Sequence, residues 1–120
     1  MAAGDSADDP DGFGQSLLDD VRFAHRFRKL RRETLALSDP DPTTARAIAD
    51  DPLVGRFGDD TMAVGTVAGR SVSIRERDWF GWPDPRRYVL FVRDPDGSVW
   101  CAKDFDRWPD GWTVDGKVPG

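Results

Sequence analysis

The chain has 120 residues, of which 38% are hydrophobic and 32% charged, with one cysteine and a formal charge of −5 at pH 7. That length fits a single domain, and no apolar run approaches the ~20 residues needed to cross a bilayer, so no membrane association is expected. Cys101 stands alone, which excludes an intramolecular disulfide and a thiol-based zinc site; with no basic or apolar signal region at the N-terminus, a reducing, cytoplasmic setting is expected.

Residues 1–12 hold Asp5, Asp8, Asp9, Asp11 and Pro10 with almost nothing to bury. They are expected to form a disordered acidic tail ahead of one α+β domain over residues 13–120. Charge is segregated along the chain. Residues 1–20 carry six Asp and no base, whereas residues 21–33 carry six bases against Glu33 alone.

A long helix is predicted over about residues 14–37, because Phe23, Phe27, Leu30, Thr34 and Leu37 fall on one arc at 3–4 spacing. Arg22, Arg26, Lys29 and Arg32 fall on the opposite arc and are the candidate nucleic-acid-binding residues, since cations along one helix face release counterions when they meet phosphates. A solvated surface helix would show the same pattern, the acidic tail offers an internal partner for these cations, and a whole-chain charge of −5 counts against a nucleic-acid binder. His25, the one histidine, has no companion at catalytic or metal-ligand spacing and is expected to be an exposed helix residue.

The run Ser38-Asp-Pro-Asp-Pro42 breaks the helix. Asp41 then suits an N-cap and Pro42 a first helical turn, predicting a short helix over about 42–50 with Ala45, Ile48 and Ala49 inward. Beyond Gly58 the apolar period changes to two. Strands are predicted over about 61–67, 70–77, 86–93, 98–103 and 112–114, with turns at Ala68-Gly69, Asp94–Gly97 and Pro109–Gly111. The segment Tyr88–Val92 is apolar on both faces and should be central. Helices in one block and strands in the next give the α+β class, a long and a short helix packed on a four- to five-stranded antiparallel meander.

All five Trp fall within residues 79–112, interleaved with arginines. Trp79, Phe80, Trp82 and Trp108 are the candidate protein-contact residues, because bulky rings around Gly81 and Pro83 are costly to expose and Trp is enriched at binding hot spots. Core filling is the competing role, and it is the one expected of Trp100, which lies within a strand. Cys101, beside Trp100 and Ala102, is expected to be a buried, inert thiol.

Turn chemistry accounts for the acidic pair Asp94/Asp96, the pair Asp104/Asp106 could meet a hard cation but has no third ligand specified, and no metal is expected. The sequence has no phosphate-binding loop, dinucleotide fingerprint or nucleophile elbow, so no catalytic residue is named and no cofactor is expected. Three function classes follow in order. The first is a non-enzymatic interaction or regulatory module with a protein partner or self-association, the second a nucleic-acid-binding domain, the third an enzyme of unidentified class.

Overall fold

A computed structural model describes residues 17–78 and 86–119. Helix α1 (Leu17–Leu30) is followed by a short strand β1 (Leu35–Leu37), helix α2 (Pro42–Ala49), a single 3₁₀ turn (Val54–Arg56) and five more strands. These are β2 (Asp60–Val67), β3 (Arg70–Glu76), β4 (Tyr88–Arg93), β5 (Val99–Phe105) and β6 (Trp112–Val114). Strands β2 to β5 form a four-stranded antiparallel meander in sequence order, and β1 pairs with β6 in parallel. The architecture is α+β.

The first helix is shorter than its periodicity suggests. The chain leaves the helix after Leu30, with Arg32 and Glu33 donating to the carbonyls of Lys29 and Leu30 in tightened turns. Leu35 and Leu37 then serve as alternating strand residues, both buried, around exposed Ala36. Two leucines separated by one residue suit a strand facing the core, and β6 supplies the hydrogen-bonding partner: the amide of Leu35 donates to the carbonyl of Gly111 at 3.0 Å. The last strand is therefore not the fifth member of the meander but the neighbour of β1. Ser38 continues β1 to the meander, exchanging two backbone hydrogen bonds of 2.8 Å with Val64 of β2.

Local turn chemistry operates as the residue types dictate. Asp41 caps α2 by accepting from the amide of Thr44 at 2.7 Å, and Pro42 occupies the first turn. The β2–β3 hairpin turns through Ala68 and Gly69, both at positive φ, which matches the twist of the flanking strands.

Register divides the sheet into an inner face buried under α1 and an outer face that is buried only in part. On the inner face Ala63 lies opposite Ile74, Val72 opposite Val92, and Tyr88 opposite Phe105. Phe23, Phe27 and Leu30 of α1 pack here with Leu35, Leu37 and Trp112. An aromatic cluster holds the corner: Phe105 lies 5.2 Å from Phe27 and 5.8 Å from Trp112 between ring centroids. Each such ring, fully buried, stabilises the fold by about 2–3 kcal/mol. The indole of Trp112 donates to the carbonyl of Leu30 at 3.0 Å, satisfying an orphan acceptor at the end of α1. On the outer face lie Val64, Thr66, Ser71, Ser73, Arg75, Val89, Phe91 and Arg93, covered by α2 and the segment after it, where Phe57 approaches Phe91 at 5.7 Å. Arg75 is buried on this face and fixes that segment, donating to the carbonyls of Phe57 and Gly58 and to Oγ1 of Thr61.

Candidate binding cavity and cationic groove

Helix α2 stands off the sheet it covers. None of its eight residues is buried, and between it and the outer sheet face lies a cavity of about 490 Å³. The helix contributes Thr44, Ala47 and Ile48, with Asp51 following at the same helical spacing. Of the expected inward face Ala45 and Ile48 are half-buried and Ala49 is exposed, and the groove is lined instead by exposed Ala47 beside Thr44 and Ile48. Ile48, Val54, Val64 and Phe91 supply apolar lining, and Thr66, Ser71 and Ser73 supply hydroxyls.

One end of the cavity is charged and closed on itself. Arg93 grips Asp51 with two hydrogen bonds, Nη1 to Oδ2 at 2.7 Å and Nη2 to Oδ1 at 3.1 Å. Asp51 Oδ1 also accepts from the amides of Leu53 and Val54, at 2.8 and 3.0 Å. Held first by Arg93 and then by these amides, the Asp51 carboxyl is lowered to about 2, well below the usual carboxylate range. Arg93 reaches it by plain alternation along β4, two residues after Phe91 and opposite Ser71 of β3 on the outer face. The Nε–H of Arg93 is buried and finds no acceptor among the described residues.

A second concavity, about 320 Å³, runs between α1 and β5. Arg28, Arg31, Arg86, Lys103 and Arg107 line it against the carboxylates Asp104 and Asp106. The nearest opposing charges are loosely placed, with Arg86 4.0 Å from both carboxylates and Lys103 3.8 Å from Asp104.

The structure scatters the candidates named from sequence. Arg22 is paired with Asp19 at 3.3 Å. Arg26 is half-buried, donating to the Trp100 carbonyl at 2.6 Å with its guanidinium 4.8 Å from the Trp100 ring. Lys29 and Arg32 are exposed. Only part of the expected cationic face is thus available to a ligand, and the cations that converge on a groove are Arg28 and Arg31 instead. Trp108, expected at a contact surface, is buried: its indole donates to the Trp112 carbonyl at 2.6 Å and its ring meets Tyr88 edge-on at 5.2 Å. It stands beside Arg107 and just before the turn at Pro109–Gly111, but a ring with an internal acceptor for its N–H is stable inside. Trp79, Phe80 and Trp82 lie outside the described residues. His25 is exposed. Cys101 is fully buried, its thiol 3.4 Å from the Phe23 carbonyl and pushed up to about 12 by burial.

Asp51 and Arg93 carried no sequence signal as a pair. They are 42 residues apart and only the sheet register brings them together. Among the described residues no group of three or more His, Cys, Asp or Glu is placed to hold a metal ion, and no helix is long and apolar enough to cross a membrane. No protein-family model matches the chain, and no curated protein or solved structure matches it at a significant level.

Proposed function

We propose that the protein is a non-enzymatic binding module that takes a small, largely apolar molecule into the cavity beneath α2. A single observation carries this: a helix with no buried residue lies over a sheet face of mixed apolar and hydroxyl side chains and leaves between them a groove of about 490 Å³, partly open to solvent. A cavity of this size falls within the ~300–1,000 Å³ typical of ligand sites, and its composition, apolar with a few placed polar groups, matches theirs. This reading departs from the protein-interaction or regulatory module expected from sequence, whose aromatic segment lies outside the described residues, and keeps only its non-enzymatic character.

Titration with the apolar dye N-phenylnaphthylamine tests this. The wild type takes up one dye per chain with saturable fluorescence enhancement. Ser73→Phe, which fills the cavity from the sheet side, abolishes the enhancement while the protein stays folded. A wild type that leaves the dye dark rejects the assignment.

The groove between α1 and β5 favours a second role, binding of a polyanion such as nucleic acid. Five cations against two carboxylates converge there on a chain whose overall charge is −5. That local excess supports salt-sensitive binding, weaker than that of a domain basic throughout.

A further inference from the structure

The start of α1 leaves apolar side chains in water. Leu17 is 80% exposed, Leu18 67% and Val21 61%, all within the first five positions of one helix. Single exposed leucines are ordinary, whereas a cluster of them marks a contact surface. Leu17 and Val21 share a stripe with Asp20, Ala24 and Arg28, at spacings of three and four residues. Arg31 extends it, because its amide continues the helical turn by donating to the carbonyl of Phe27 at 2.9 Å. The stripe borders the core face of Phe23, Phe27 and Leu30 without belonging to it: Asp20, Arg28 and Arg31 are exposed and Ala24 is half-buried.

The order of residue types along that stripe matches its own reverse. Asp20 stands toward the N-terminal end, Arg28 and Arg31 at the other, and Ala24 midway. Neither Asp20 nor Arg28 has an ion-pair partner among the described residues, while neighbouring Asp19 and Arg22 pair with each other at 3.3 Å. The helix macrodipole accounts for an acid at the start and bases at the end, but not for Leu17 and Val21 in water beside them. Turned antiparallel against itself about Ala24, the stripe is complementary. Asp20 of each copy meets Arg28 of the other, and Leu17 meets the aliphatic stem of Arg31. Ala24, with a single methyl group, lets the two axes approach to about 8 Å. We propose that the protein forms a two-fold homodimer through this face of α1, the two helices antiparallel and crossing at Ala24, with an Asp20–Arg28 ion pair on either side. The interface is isologous, the commonest kind in soluble oligomers. Two 14-residue helices, each about 21 Å long, bury an area at the low end of specific interfaces, so the dimer is weak and reversible. Arg28 also walls the cationic groove, and a polyanion there competes with the second copy.

Sedimentation equilibrium of the full chain, from micromolar to millimolar concentration, reads the association directly. The wild type is a reversible monomer–dimer mixture. Asp20→Arg and Arg28→Asp each raise the dissociation constant more than about tenfold, since each brings like charges together at both ends of the interface. Mixed one to one, the two variants recover the wild-type affinity, because one chain then offers bases where the other offers acids. Both positions are exposed, so both variants fold. The register has its own readout: under mild oxidation Ala24→Cys cross-links to itself, whereas Leu17→Cys, held about 21 Å from its copy, does not. Cys101 is buried and stays silent. A wild type that remains monomeric throughout overturns the proposal, as does a dimer that both reversals leave intact, a mixture that does not associate, or self-linking at Leu17→Cys rather than Ala24→Cys. Monomers that instead settle on vesicles of anionic lipid assign Leu17 and Val21 to a membrane surface and overturn it as well.

Discussion

Arg93 of β4 and Asp51, which follows α2, are joined by two hydrogen bonds of 2.7 and 3.1 Å and are the charged tie between the outer sheet face and the segment that covers it. The tie depends on pH. The Asp51 carboxyl is lowered from 3.8 to about 2 in the folded chain, so its contribution is fully present above the unfolded value and is lost as pH falls through the folded one. With about a quarter of each side chain in water, solvent screening leaves about 1 kcal/mol. Asp51→Asn is therefore expected to be less stable than wild type by roughly that amount near neutral pH, the difference shrinking between about pH 4 and pH 2. Urea denaturation across that range measures it, and a difference independent of pH would contradict the ionic origin.

Arg75 gives a larger effect. It is buried and spends its guanidinium on Phe57, Gly58 and Thr61. Arg75→Met leaves buried carbonyls without donors and is expected to cost about 3 kcal/mol, against under ~0.5 kcal/mol for Arg32→Ala on the surface. Lysine does not substitute, because a single ammonium cannot reproduce the planar fork. Denaturant midpoints for the three variants check the ranking.

Gly55 tests how α2 is seated. A Cβ there would collide with the backbone carbonyl of Ala49 at the end of the helix. Gly55→Ala is expected to cost about 1–3 kcal/mol and to shift α2 relative to the sheet, so dye affinity should change together with stability. Unaltered binding in a destabilised variant would separate the helix position from the cavity.

The buried thiol reports on the inner core. Cys101 lies against Phe23 of α1, and burial pushes its thiol up to about 12. A thiol reagent at mildly alkaline pH is expected to leave the native protein unmodified and to label it only at the rate of unfolding. Prompt labelling without denaturant would show that α1 opens from β5 on its own.

The cationic groove predicts a particular pattern of charge reversals. Arg31→Glu with Lys103→Glu should lower the salt concentration at which the protein elutes from immobilised heparin, whereas Arg22→Glu should leave it nearly unchanged because Arg22 is already paired with Asp19. Equal effects would return the polyanion surface to the outer face of α1.

Local chemistry was legible in the sequence wherever neighbouring residues decide structure. Asp41 and Pro42 start α2, Gly97 closes its turn at positive φ, and the doubly apolar run of β4 lies inside the sheet. Leu35 and Leu37 misled because they satisfy a helical arc and a strand alternation equally, and their strand partner, Trp112 to Val114, is remote in the chain. The cavity was illegible for a related reason. Its walls come from α2, β2, β3 and β4, and its size depends on how far a helix stands from a sheet, which no residue spacing encodes. The interleaving of tryptophan and arginine was a real signal whose target is internal: Arg26 and Arg70 both place guanidinium groups within 4.8 Å of the Trp100 ring centroid.

The parallel pairing of β1 with β6 also dictates when this domain is complete during its synthesis. Leu35 and Trp112 are neighbours in the fold but lie about eighty residues apart in the chain, a long-range closure that folding reaches late. Until β6 clears the ribosome, β1 has no strand to pair with on that side and the cluster around Phe27 and Phe105 lacks its central ring. The growing chain therefore carries an open strand edge and unshielded aromatics through most of translation, the condition in which nascent chains depend most on chaperones.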